Sequence, residues 1–123
     1  MSQLAKFFDL LGEETKLRIL VLLADSGQEL CVCELVDSLQ EKQYNVSKHL
    51  RELLKAKLIS HRREGRWVYY RVEKNNRLLQ DTLKLIQRYL QSQAVLADQQ
   101  RMKRRLGLRQ NGKCLLGILG KTF

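Results

Sequence analysis

A chain of 123 residues supplies one modest core, not two. With 44% hydrophobic and 29% charged residues, it has the composition of a folded domain rather than a disordered segment. A net charge of +10 favours a polyanionic partner, nucleic acid ahead of a membrane surface. No apolar run approaches the roughly 18 residues a membrane-spanning helix needs, and the N-terminus lacks the basic-then-apolar pattern of a secretory signal. Three cysteines, two of them separated by one residue, do not make a disulfide framework, so a reduced, cytoplasmic setting is expected.

Leu4, Phe7, Phe8 and Leu11 recur at helical spacing and predict a first helix stopped by Gly12. A strongly apolar second helix starts near Glu13 and closes at Gly27. Leu30, Cys31, Leu35, Val36 and Leu39 predict a third, shorter helix. After a polar break at residues 40–43, Tyr44 to Lys57 reads as a fourth, with Val46, Leu50, Leu53 and Leu54 on one face. The period then shortens: Leu58 to Arg63 and Arg66 to Val72 read as two strands joined at Glu64-Gly65. Leu79, Leu83, Ile86, Leu90 and Ala94 mark one stripe along a closing helix of about six turns. The expected fold is mainly α (α+β): four helices, a basic two-stranded hairpin and a long C-terminal helix, the set that the family resemblance described below makes a winged helix-turn-helix.

Charge divides the chain. Residues 1–98 hold all 13 acidic residues, whereas Arg101, Lys103, Arg104, Arg105, Arg109, Lys113 and Lys121 follow with no acid among them. Four glycines, Gly107, Gly112, Gly117 and Gly120, arrive in the same stretch. The composition places a domain at 1–100 and a basic, glycine-containing tail at 101–123, free to add phosphate contacts or to be dispensable.

From about Leu30 to Lys57, a short helix, a turn and an amphipathic helix form a helix-turn-helix candidate. Its second helix offers Gln43, Tyr44, Asn45, Ser47, Lys48, His49 and Arg51, side-chain types that address base edges and phosphates. The hairpin adds Arg62, Arg63 and Arg66, suited to a phosphate backbone or a minor groove. Double-stranded DNA is therefore the expected partner. His49 is read as facing DNA and His61 as structural; with two histidines in all, a histidine-rich zinc site is not expected.

Glu29-Leu30-Cys31-Val32-Cys33-Glu34-Leu35 resembles the signature of arsenic-sensing members of the ArsR/SmtB family of winged-helix repressors. Residues 11–20, Val46-Ser47-Lys48-His49-Leu50 and residues 62–71 agree with the same family, in the same order. The resemblance implies a homodimer on palindromic operator DNA, with no membrane partner. The inducer would be arsenite (As(III)) or antimonite (Sb(III)), bound by Cys31 and Cys33, with no organic cofactor and no catalysis. It also implies a dimer interface built from the helix beginning near Leu78 and the first helix. Relatives often carry a third cysteine where this chain has Val36, so the third ligand is left to water, a small thiol or Cys114.

Thiolates select soft ions over magnesium or calcium. Residues at i and i+2 of a regular helix point about 200° apart, so ligation by Cys31 and Cys33 is expected to distort the start of the third helix, a switch within the DNA-reading unit. Three other readings stand beside this one. The thiols could sense oxidation, the chain could bind DNA constitutively with inert cysteines, or the inducer could be cadmium or lead.

Overall fold

The computed structural model describes residues 1–90 and 92–119. Its helices and strands follow in the order α1 (Ser2–Leu11), α2 (Glu14–Ser26), β1 (Leu30–Cys31), α3 (Val32–Leu39), α4 (Gln43–Lys55), β2 (Ile59–Glu64), β3 (Trp67–Val72), α5 (Arg77–Tyr89) and α6 (Gln93–Leu106). This is the expected mainly helical arrangement with a hairpin wing.

Helix α2 is the central post. Its N-terminus is closed by Glu13, whose carboxylate accepts from the Lys16 N–H at 2.9 Å. It ends at Gly27, whose φ of +64° is cheap only for glycine. Ile19, Leu20, Val21, Leu22 and Leu23 are all buried, so α2 is covered on several faces rather than along one stripe. Leu35 and Leu39 of α3, Leu50 and Leu53 of α4, and Leu79 and Leu83 of α5 pack into the same core.

The sheet is antiparallel in the order β1-β3-β2. The expected hairpin is present, and β1 adds a third strand through Leu30 opposite Tyr70 and Cys31 opposite Tyr69. The third helix therefore begins at Val32 rather than at Leu30. A two-residue strand carries no periodic signal, so the pairing with β3 was invisible in the sequence.

The closing helix of about six turns is divided in two. Leu90 leaves the helical region at ψ 117°, and α6 starts at Gln93. No glycine or proline marks the break; tertiary packing enforces it. Folding back allows α6 to bury Asp98, Met102 and Arg105 against α2 and α3. The expected boundary near residue 100 consequently falls inside α6. Beyond it, Arg109 and Cys114 pack onto the domain, while Gly120 and Lys121 lie outside the described residues.

Asp98 has no solvent exposure and holds two guanidinium groups. Arg18 donates to its two oxygens, at 2.8 Å each, and Arg101 donates to one of them at 2.8 Å. The same arginines donate to the Leu39 and Ser38 carbonyls at the end of α3, which the helix itself leaves unsatisfied. Removing one partner of such a buried cluster leaves uncompensated charge. Asp98→Ala is expected to lower unfolding stability by about 3 kcal/mol, measured by urea denaturation; a loss below about 0.5 kcal/mol, the range of an ordinary surface substitution, would contradict this role.

Candidate functional site: a thiol cluster beside the DNA-reading unit

Cys31 does not lie within α3. It is the N-cap, with extended backbone at φ −87° and ψ 168°. The Glu34 backbone N–H donates to its sulfur, and its own N–H donates to Glu34 Oε1 at 3.0 Å, a reciprocal cap in which cysteine takes the place usually held by serine or threonine. Cys33 sits in the first turn of α3, half-buried. Because Cys31 precedes the helix, the opposed directions of i and i+2 in a regular helix do not apply, and Cys33 packs against the cluster that Cys31 forms with Tyr69 and Cys114.

The third cysteine reaches the same place. Cys114 is fully buried, and its Sγ lies 3.2 Å from that of Cys31, 83 residues earlier in the chain. Asn111 and Gly112 turn the backbone with φ of 53° and 73°, and Gln110 and Lys113 bridge across the turn. The Cys114 N–H donates to the Tyr69 hydroxyl at 3.0 Å. Arg105 anchors the same segment by donating to the Leu116 carbonyl at 2.5 Å and to Asp37 at 2.8 Å. Cys31, Cys114 and a carboxyl oxygen of Glu34 thus meet beside the N-terminus of α3, their ligand atoms within 4.8 Å of one another, and Cys33 packs against this cluster.

Their proton affinities diverge. The hydrogen bond to Cys33, burial and the Glu34 charge hold the Cys31 thiol far above the ordinary range. Burial, then the Cys31 contact, pushes Cys114 up to about 12. The Cys31 hydrogen bond lowers Cys33, aided by Arg105. Cys33 is the thiol with most thiolate character, and thiolate is the form that binds soft ions.

Glu34 is fully buried. Arg109 donates to Oε2 through Nε and to Oε1 through Nη2, both at 2.6 Å, so the two oxygens are both engaged. Sequence reasoning had assigned no role to Glu34, Arg105, Arg109 or Tyr69. The Cys-x-x-Glu spacing of a capping box and the Asn-Gly turn before Cys114 were the available signals.

The DNA-facing candidates separate into two groups. Gln43, Tyr44, Lys48 and Arg51 on α4 are exposed, with Asn45 and Ser47 half-buried among them. His49 faces inward instead: its Nε2 is 3.6 Å from Glu13, and its Nδ1 is buried without a hydrogen-bond partner. Arg62, Arg63 and Arg66 are exposed on the wing. Arg62 also pairs with Glu29 at 2.7 Å and Glu64 at 3.1 Å, and Arg66 stacks over Trp67. His61 is exposed on β2, near the Tyr70 ring.

Among the described residues, no helix is long and apolar enough to cross a membrane. Residues 13–61 match the family described as "Bacterial regulatory protein, arsR family". The chain is 45% identical over 65 residues to the arsenic resistance transcriptional regulator ArsR1 of Pseudomonas putida, covering 53% of this chain and 50% of that protein. It therefore spans about half the length of that relative. To ArsR2 of the same organism it is 38% identical over 93 residues, 72% of this chain and 80% of the relative. Among solved structures, reduced HlyU from Vibrio cholerae matches with a TM-score of 0.65 and 28% identity, covering 73% of this chain and 92% of that one. A wing and a helix-turn-helix in this order, joined to relatives that extend beyond the DNA-reading unit, make the chain a member of the ArsR/SmtB family, whose proteins are DNA-binding transcriptional regulators rather than enzymes.

Proposed function

We propose that the chain is a metalloid-responsive repressor that holds operator DNA as a homodimer and lets go when arsenite or antimonite binds Cys31, Cys33 and Cys114. The observation that carries this reading is the contact between Cys31 and Cys114, two thiols from distant parts of the sequence, with Cys33 packed against the pair. A trivalent metalloid suits such a donor set: three thiols displace three hydroxides from arsenous acid, and each thiol proton leaves with a hydroxide as water. A four-coordinate divalent ion such as cadmium would need a further donor, and Arg109 already engages both oxygens of the nearby Glu34.

DNA contact falls to the exposed start of α4, whose N-terminal dipole favours phosphate, and to the wing arginines. Dimerisation is supported by apolar side chains left exposed on α1 and α5, including Leu4, Phe8, Leu78, Leu85 and Tyr89. Leu4 and Leu78 line one groove between the two helices. Release requires that the ligand prefer a geometry other than the DNA-bound one. The elements next to the thiols, the first turn of α3 and strand β3, are the ones that would shift.

A thiol redox sensor is the second reading, favoured by the 3.2 Å contact between Cys31 and Cys114. A hydroperoxide would oxidise one thiol to sulfenic acid and leave as an alcohol; the second thiol would then form the disulfide and expel water.

The deciding experiment is fluorescence anisotropy on duplex DNA from the gene's own upstream region. Arsenite under reducing conditions should weaken binding about tenfold or more, and Cys31→Ser or Cys33→Ser should abolish the response while leaving DNA affinity in place. Release by peroxide alone would favour the redox reading; binding indifferent to both would reject each of them. Arg63→Ala should weaken DNA binding and leave arsenite uptake unchanged.

The thiols also make a pH prediction. With its proton affinity lowered, Cys33 is deprotonated at lower pH than an ordinary thiol, whereas Cys31 and Cys114, raised, stay protonated through neutrality. Iodoacetamide labelling of ligand-free protein, followed by mass spectrometry, should modify Cys33 first, at a rate that climbs with pH and levels off below the ordinary thiol range. Labelling of Cys114 or Cys31 ahead of Cys33 at neutral pH would contradict this order.

A further inference from the structure

We infer that Arg109 is the positioning residue for the third thiolate: its buried ion pair with Glu34 fixes Cys114 against Cys31. The inference rests on the three-thiol reading above and adds to it the part of the chain that makes the third ligand available.

Four contacts converge on one guanidinium. Arg109 grips both oxygens of Glu34 at 2.6 Å and donates to the Glu29 carbonyl at 2.6 Å and to Gln28 Oε1 at 3.1 Å. Its Cζ also lies 5.6 Å from the centre of the Tyr69 ring. Glu34 is the residue that caps Cys31, and Tyr69 is the residue whose hydroxyl receives the Cys114 N–H. One side chain therefore touches the support of each of the two sulfurs that lie 3.2 Å apart.

The arrangement is fork-to-fork, the geometry in which arginine is most selective and lysine a poor substitute. It is also buried: the Arg109 side chain is 9% exposed and that of Glu34 is 0%. Two other residues hold the same segment. Arg105 lies 3.9 Å from the Cys114 sulfur and donates to the Leu116 and Gly117 carbonyls downstream of it, and Lys113 reaches Glu64 from an exposed position. Exposed pairs of that kind contribute little. Arg109 is the anchor between the end of α6 and Cys114 that ties the segment to the thiol-bearing cap itself.

Outer partners that orient metal ligands typically alter affinity about 10- to 100-fold when removed. The test uses the full chain with arsenite as the probe and compares Arg109→Ala with the wild type. In the ligand-free variant, iodoacetamide should label Cys114 at least about tenfold faster, because the buried ion pair that ties the chain before it to the cap is lost. With arsenite bound, arsenic X-ray absorption should count three sulfurs in the wild type and two in Arg109→Ala, and arsenite affinity should fall about tenfold.

The decisive comparison is made in a Cys114→Ser background. There Arg109→Ala should cost no further arsenite affinity, since the thiol it positions is already gone. Arg109→Lys, which keeps the charge but not the fork, serves where the alanine variant folds poorly and should give a smaller loss in the same direction. Three sulfurs retained in the variants, or an equal loss of affinity with and without Cys114, would overturn the inference and leave Arg109 a structural residue. A wild-type count of two sulfurs, or no arsenite binding, would instead overturn the three-thiol reading on which it stands.

Discussion

A single buried carboxylate governs the second half of the chain. Asp98 is removed from water with two arginines around it, and a charge so placed persists only when paired. The pairing reaches from α6 back to Arg18 on α2, 80 residues away, and through both arginines to the last carbonyls of α3. Met102 and Arg105, one and two turns further along α6, are thereby laid against the core and against Asp37. From there the chain has only nine residues to cover from Arg105 before Cys114 meets Cys31. The clamp on Asp98 thus determines which face of the domain the third thiol can reach.

The legible parts of this fold are those with a period. Helix α2 was read from its continuous apolar run, and the helix pair α3–α4 and the wing from apolar spacing, because each runs for several residues with apolar side chains inward. Cys31 was misplaced because a two-residue strand has no period and cysteine is not among the usual N-cap residues. The difference bears on the site, because the opposed directions of i and i+2 hold within a regular helix and not for a Cys31 at the N-cap. The apolar stripe from Leu79 to Ala94 runs on without a stop signal, so the turn after α5 was illegible; it is imposed by the distant pairing of Asp98. The tail was legible in part. Its seven basic residues read as a solvated or DNA-binding segment, yet Arg105 and Arg109 serve the interior, each satisfying carbonyls or carboxylates. Asn111-Gly112 carried the signal that the chain turns back.

Two kinds of ion pair meet around Tyr69, and their difference bears on how a ligand could be felt by DNA. Arg109 lies 5.6 Å from its ring and Arg62 of the wing 4.9 Å, so one aromatic side chain touches both the thiol cluster and the basic hairpin. On the thiol side the pair is buried and forked, and breaking it would strand the Glu34 charge. On the wing side, Glu64 is shared between Arg62 and Lys113 in exposed contacts. Pairs of that sort contribute little to stability and exchange readily. The contrast suits a regulator. Under the proposed function, a firm contact serves where the thiols are to hold a ligand, and a yielding one where a guanidinium is to leave a carboxylate for a phosphate. Any movement of Cys114 moves Lys113 beside it, which changes how Glu64 is divided between its two cations. Under the proposed function, this gives ligation a route to the wing through Lys113 and Glu64.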